Sequence, residues 1–100
     1  MNLEMKTVEI RVRLLGFLAR LYGSDEITLR FDENPRLGEL LGKLAGRKRR
    51  FRKALFDEDG DLSWNILLLV NRRDVSVLDG LDTRLEDGDE VVLAPISHGG

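Results

Sequence analysis

The sequence has no cysteine among its 100 residues. That excludes disulfides, thiol catalysis and cysteine-ligated metal. Its single histidine, His98, has no second histidine or ligand-spaced carboxylate beside it, so it reads as a tail residue and no metal ligand is assigned. There is no glycine-rich phosphate loop either, which leaves an enzyme reading with nothing to assemble and gives no cofactor-binding residues. No apolar run approaches the roughly eighteen residues a membrane helix needs, and residues 1–7 are too short and mixed for an export leader. The expectation is a soluble, cytoplasmic chain with no membrane partner.

What is present is ordinary globular composition, 42% hydrophobic and 34% charged, in a length that suits one domain. The net charge of −2 hides an uneven distribution. Residues 36–53 carry eight basic side chains against Glu39, whereas from residue 76 onward six acidic ones face only Arg84. The basic run Arg47-Lys48-Arg49-Arg50-Phe51-Arg52-Lys53 is read as a solvated helix exit, where cations offset the negative end of a helix dipole. Its competing reading, contact with nucleic acid, rests on charge alone.

Hydrophobic periodicity orders the chain. Val8, Ile10, Val12 and Leu14 alternate with charged residues and predict a half-buried strand, as do Ile27, Leu29 and Phe31. Between them lies an apolar connector with a helical turn near 17–21. Asn34 and Pro35 suit the start of a helix whose leucines at 37, 40, 41 and 44 form one stripe ending near Gly46. Ala54, Leu55 and Phe56 anchor a further turn, and Asp57 to Asp61 read as a loop lacking the ligand spacing for calcium. A strand is expected over 65–70, then a hairpin through 71–74 into a short strand over 75–77. A connector with Leu81 and Leu85 and a glycine turn at Glu86-Asp87-Gly88-Asp89 lead to a last strand over 90–96. The acidic cluster there is turn chemistry, not a paired-carboxylate site.

The sequence closes with Ser97-His98-Gly99-Gly100. Read as the protein's own C-terminus, two residues without a Cβ leave the last carbonyl carbon unshielded and able to enter a narrow slot. A carboxylate is a poor acyl donor, so chemistry there needs activation from outside, such as an acyl-adenylate made with ATP, before sulfur or an amine attacks.

The stretch Leu85-Glu86-Asp87-Gly88-Asp89-Glu90-Val91-Val92-Leu93-Ala94-Pro95-Ile96-Ser97-His98-Gly99-Gly100 resembles the closing segment of the ubiquitin-like sulfur carriers, MoaD-like molybdopterin synthase small subunits and ThiS-like proteins, which share ancestry with ubiquitin-related modifiers. A leucine, a DGDEV-type turn into the last strand, a proline and a terminal Gly-Gly recur in that order. The sequence departs from many molybdopterin subunits in having Ala94-Pro95 where they carry a proline pair.

The element order fits the β-grasp that the resemblance implies: an α+β, ubiquitin-like fold with a mixed five-stranded sheet and one main helix across one face. The last strand would lie parallel to the first in the middle of the sheet. The expected division is a β-grasp domain over 1–95 and a flexible tail over 96–100. Parity then predicts a surface. If Ile66, Leu68, Val70, Val91 and Leu93 face the helix, Leu67, Leu69, Val92 and Ala94 form an apolar patch on the other side, a surface for a partner.

The resemblance implies a carrier and not an enzyme, with no cofactor of its own and ATP used by a partner. Gly100 would become the acyl-adenylate, thiocarboxylate or isopeptide carbon, with Gly99, His98, Ser97 and Ile96 entering the activating enzyme. The implied partners are that adenylating enzyme, a sulfurtransferase and either the large molybdopterin synthase subunit or modified target proteins. Three functions stay open: a sulfur carrier for molybdenum cofactor biosynthesis, a protein modifier joined through Gly100, and a nucleic-acid-binding module using the basic run.

Overall fold

The computed structural model describes residues 7–96. Strand β1, Val8–Leu14, buries every second residue. The short helix α1, Phe17–Tyr22, follows and stops at Gly23, whose left-handed backbone lets its amide reach back to the Ala19 carbonyl. Strand β2, Glu26–Phe31, returns antiparallel to β1, pairing Val8 with Phe31 and Arg13 with Glu26.

The main helix α2, Leu37–Ala45, buries Leu37, Leu40, Leu41, Leu44 and Ala45, the stripe that the leucine spacing predicts. Its start differs from expectation. The first helical residue is Leu37, because Arg36 stays extended and Pro35 to Leu37 meet the connector at residues 83–85. Leu85 donates its amide to the Pro35 carbonyl at 2.8 Å, Leu37 donates to Thr83 at 2.8 Å, and Arg36 bridges Arg84. Arg36 takes the cap position, and its amide is met by Glu39 Oε1 at 3.3 Å.

The basic run is not a helix exit but a helix, α3, Arg49–Leu55, with Phe51 and Leu55 buried. Phe51 packs its ring edge-on against Tyr22 at 5.0 Å, tying α3 to α1. Lys48 lies over the Tyr22 ring at 4.2 Å and donates to the Tyr22 carbonyl, and Arg52 donates to Gly46. These two cations satisfy carbonyl groups left over at the ends of α1 and α2.

Strand β3, Ile66–Val70, and strand β4, Arg73–Asp74, make a hairpin through Asn71 and Arg72, both with positive φ. The short strand expected at 75–77 is instead a 3₁₀ turn, Val75–Val77. Asp74 accepts the Ser76 amide at 2.8 Å, which bends the chain away from the sheet edge after two paired residues. A second 3₁₀ turn, Gly80–Asp82, precedes Thr83, a buried hydroxyl that donates to the Gly80 carbonyl and accepts from the Asp79 amide.

Strand β5, Glu90–Pro95, closes the fold. The sheet order is β2-β1-β5-β3-β4, with β5 parallel to β1 and antiparallel to β3. This is a mixed five-stranded sheet with the main helix across one face, as expected, and the last strand is central. Between sheet and helices lies an aliphatic core joined by Leu18, Phe51 and Leu85, all fully buried.

Candidate functional site: the outer sheet face and the end of β5

The sheet's outer face divides in two. Over β1 and β2 it is wet: Glu9, Arg11, Arg13, Glu26, Thr28 and Arg30 are exposed. Cross-strand neighbours there pair as ions, Arg30 with Glu9 at 3.0 Å and Arg13 with Glu26 at 3.1 Å. Such exposed pairs add little stability but exclude apolar contact. A depression of about 300 Å³ lined by Arg11, Arg13, Glu26, Thr28 and Glu90 lies in this half.

Over β5 and β3 the face is apolar. Leu67 stands directly opposite Ala94 and Leu69 opposite Val92, and all four are half-buried. Their neighbours in sequence, Ile66, Leu68, Val70, Val91 and Leu93, are buried in the core. The strand parity is therefore the one the sequence implies, and the outward set is a contiguous four-residue surface on adjacent strands.

The surface reaches further than the sequence suggests. Leu15, 43% exposed, follows β1 and donates its amide to Leu93 at 3.0 Å, which puts it at the same end of the sheet. Ile96 is 39% exposed and continues the outward parity of Val92 and Ala94. Trp64, 76% exposed, sits just before β3 at this end. The signal for Leu15 was there to read: Leu14 completes the alternation of β1 and Leu15 follows it directly, so both faces receive a leucine at the strand's end.

The chain's course to this point is tightly held. Ile96 donates to the Asn65 carbonyl at 2.7 Å, and Asn65 Oδ1 accepts from the Ser63 hydroxyl. Ser97, His98, Gly99 and Gly100, the tail positions singled out in the sequence, lie outside the described residues. At the opposite end, the acidic turn before β5 is bound up in backbone contacts. Asp87 accepts the Glu9 amide at 2.8 Å; Asp89 accepts the Glu86 amide at 2.8 Å and the Asn71 side-chain amide at 2.9 Å. Asp57 likewise accepts the amides of Asp59 and Asp61. Both clusters act as turn-formers, and among the described residues no group of acidic, histidine or cysteine side chains is placed to hold a metal. Nor is any helix among the described residues long and apolar enough to cross a membrane.

A central terminal strand, parallel to the first and flanked by an apolar outer face, defines a ubiquitin-like protein of the carrier or modifier kind. The family model of Urm1, ubiquitin related modifier, matches residues 9–100, and the chain belongs to that family. It is 31% identical over 93 residues to small archaeal modifier protein 3 of Haloferax volcanii, covering 93% of this chain and 100% of that one. It is 34% identical over 95 residues to ubiquitin-related modifier 1 of Schizosaccharomyces pombe, covering 91% of this chain and 98% of that one. Among solved structures it matches SAMP1 from Haloferax volcanii with a TM-score of 0.81 at 27% identity, over 92% of this chain and 99% of that one. It also matches a Pyrococcus furiosus protein described as subunit 1 of a molybdopterin converting factor, with a TM-score of 0.72 at 28% identity, over 90% and 99% of the two chains. Members of this family are ubiquitin-like carriers or modifiers and not catalysts.

Proposed function

We propose that the protein is a sulfur carrier whose reacting atom is the carboxyl carbon of Gly100, and that it delivers sulfur in molybdopterin biosynthesis. A partner adenylating enzyme joins the Gly100 carboxylate to the α-phosphorus of ATP, releasing pyrophosphate. The persulfide of a sulfurtransferase then attacks the acyl carbon, AMP leaves with the electrons of the broken C–O bond, and a thiol cleaves the resulting acyl disulfide, itself becoming a disulfide, to release the thiocarboxylate. The thiocarboxylate formed is presented to the large synthase subunit. Gly99 and His98 pass through the activating enzyme's slot with Ser97 and Ile96 behind them, and Leu67, Leu69, Val92 and Ala94 provide the docking surface. The chain binds no cofactor itself; the ATP belongs to the partner.

The observation that carries this reading is the pairing of Leu67 with Ala94 and Leu69 with Val92 on the strand that leads into the tail. A partner seated on that surface is brought to the tail without any rearrangement of the fold. The likeness to the molybdopterin converting factor subunit supports the choice of pathway. The test is intact mass after incubation with the cognate adenylating enzyme, ATP and a sulfur source. Exchange of one oxygen for sulfur at Gly100 is expected, and no mass change alongside a reacting control carrier defeats the reading.

A second reading is favoured by the relatives named as modifiers: the same activated carbon is taken by lysine amines of other proteins, giving isopeptide conjugates. The two share every feature of the chain, and recovery of lysine-linked conjugates from cells separates them. The basic run favours neither. Its Lys48 and Arg52 are bound to local carbonyls, and its Phe51 faces the core.

A further inference from the structure

We propose that Gly16 and Pro95 form a brace that fixes the direction in which the chain leaves β5. That direction in turn sets how readily Gly100 is adenylated, and this second half rests on the function proposed above.

Gly16 has φ 58° and ψ −136°, a backbone state in which an L side chain is strained. A Cβ built there would stand 3.0 Å from Pro95 Cγ and 3.6 Å from Cδ. The proline ring therefore occupies the space a side chain at residue 16 would need, and only glycine admits it. The hydrogen bonds around the contact explain why a proline is tolerated in the central strand. Ile96 turns its amide toward β3, reaching Asn65, so the amide of the preceding residue would point the other way, toward β1. On that side Leu15 donates its amide to the Leu93 carbonyl and the chain departs at Gly16, just past the end of the pairing between β1 and β5, where a residue without an N–H is best tolerated. The ring fills that gap.

Pro95 is thus held from both sides. Leu15 grips the strand two residues earlier, Asn65 grips it one residue later, and the ring rests on the Gly16 backbone. With its own φ fixed by the ring, the residue passes little rotational freedom to Ile96. A reaction in which a thin segment enters a slot is sensitive to such aim, since misplacement by about an ångström costs up to about a hundredfold in rate.

The test uses Pro95→Ala in the full chain, which removes the ring without straining residue 16. Amide exchange at Ile96 is expected to speed up about tenfold, with Val91 and Leu93 unchanged, as a local loss of order and not global unfolding. Pyrophosphate exchange with the adenylating enzyme is expected to show kcat lowered about tenfold and KM within about twofold, because the docking surface is untouched. Gly16→Ala should move both readouts the same way where it folds. Unchanged exchange at Ile96 in Pro95→Ala overturns the brace. Faster exchange with unchanged kcat overturns the link to adenylation. A wild-type chain that is never adenylated overturns that link together with the proposed function, while the exchange measurement still reports on the brace.

Discussion

Leu68 and Leu69 are neighbours in β3 that face opposite sides of the sheet, and alanine at each position separates folding from docking. Leu68 is 2% exposed in the aliphatic core and lies opposite Leu93. Truncating such a leucine removes buried apolar area and leaves a cavity, at a cost of about 2–5 kcal/mol. A domain of this size has about 5–15 kcal/mol in total, so Leu68→Ala should lose a large part of its stability in urea titration. Leu69 is half-buried and leans on Val92 from the solvent side. Only part of its transfer free energy is at stake and no closed cavity forms, so Leu69→Ala should cost about 1 kcal/mol or less. Binding should show the reverse order. Leu69 lies in the proposed docking surface, where loss of a well-packed anchor weakens a complex by about 1–2 kcal/mol, or about five- to thirtyfold in Kd. Calorimetric titration of the folded Leu68→Ala protein with the adenylating enzyme should give a Kd within about twofold of wild type. Equal stability losses at the two positions would refute the assigned strand parity. A Leu69→Ala protein that binds normally would refute the docking surface.

Phe51→Ala should destabilise the fold by about 3–5 kcal/mol, because the ring is fully buried and carries the contact between α3 and Tyr22; urea titration reads this directly. Arg72→Gly should stabilise by about 0.5–1 kcal/mol, since φ of 71° is costly for arginine and free for glycine, and thermal unfolding measures the gain. The Ser76 backbone amide, helped by its hydroxyl, holds the Asp74 carboxyl below the usual aspartate range. A depressed value in the folded state stabilises above the unfolded value of about 3.9 and is lost as pH falls through the lower folded one. Stability against pH should therefore drop less steeply across that acid window in Asp74→Asn than in wild type. Deleting Gly99 and Gly100 should abolish thiocarboxylation and conjugation alike while leaving the unfolding curve unchanged, and intact mass and urea titration check the two halves.

The regular parts of the fold were legible wherever a single period ran long enough. The alternation in β1 and β2 and the leucine stripe of α2 each meet one face of one core, so pattern and structure coincide. The apolar runs in β3 and β5 were legible for the same reason in reverse: with no alternation and helices on one side only, some leucines had to face outward. Helix α3 was concealed by its charge. Phe51 and Leu55 have helical i, i+4 spacing, but six cations around them read as solvated chain, and the role of Lys48 and Arg52 in capping other helices is not visible without tertiary contacts. Val75-Ser76-Val77 mimics a strand in its pattern, yet local bonding of Asp74 to Ser76 outweighs three residues of alternation. Asn34 and Pro35 carry good helix-start chemistry that long-range pairing with residues 83–85 overrides. The Gly16 and Pro95 contact joins positions far apart in sequence, and neither residue alone announces it.

The two halves of the outer face are joined along one line, where β1 lies parallel to β5. Arg13, bound to Glu26, stands beside Val92, and Arg11 stands beside Glu90. An apolar partner sliding toward β2 would have to strip water from these charges without replacing their contacts, at a cost that rises with each group buried. Under the proposed docking, the charged half acts as a fence that confines a partner to β5 and β3. Because β5 is also the strand that ends at the tail, the fence and the exit share one rigid element. A partner placed correctly against Leu69 and Val92 is thereby placed correctly relative to Pro95 and Ile96. The proposed docking and delivery would then need no conformational signal between them, only a sheet stiff enough to keep that distance, and a central strand paired on both sides supplies it.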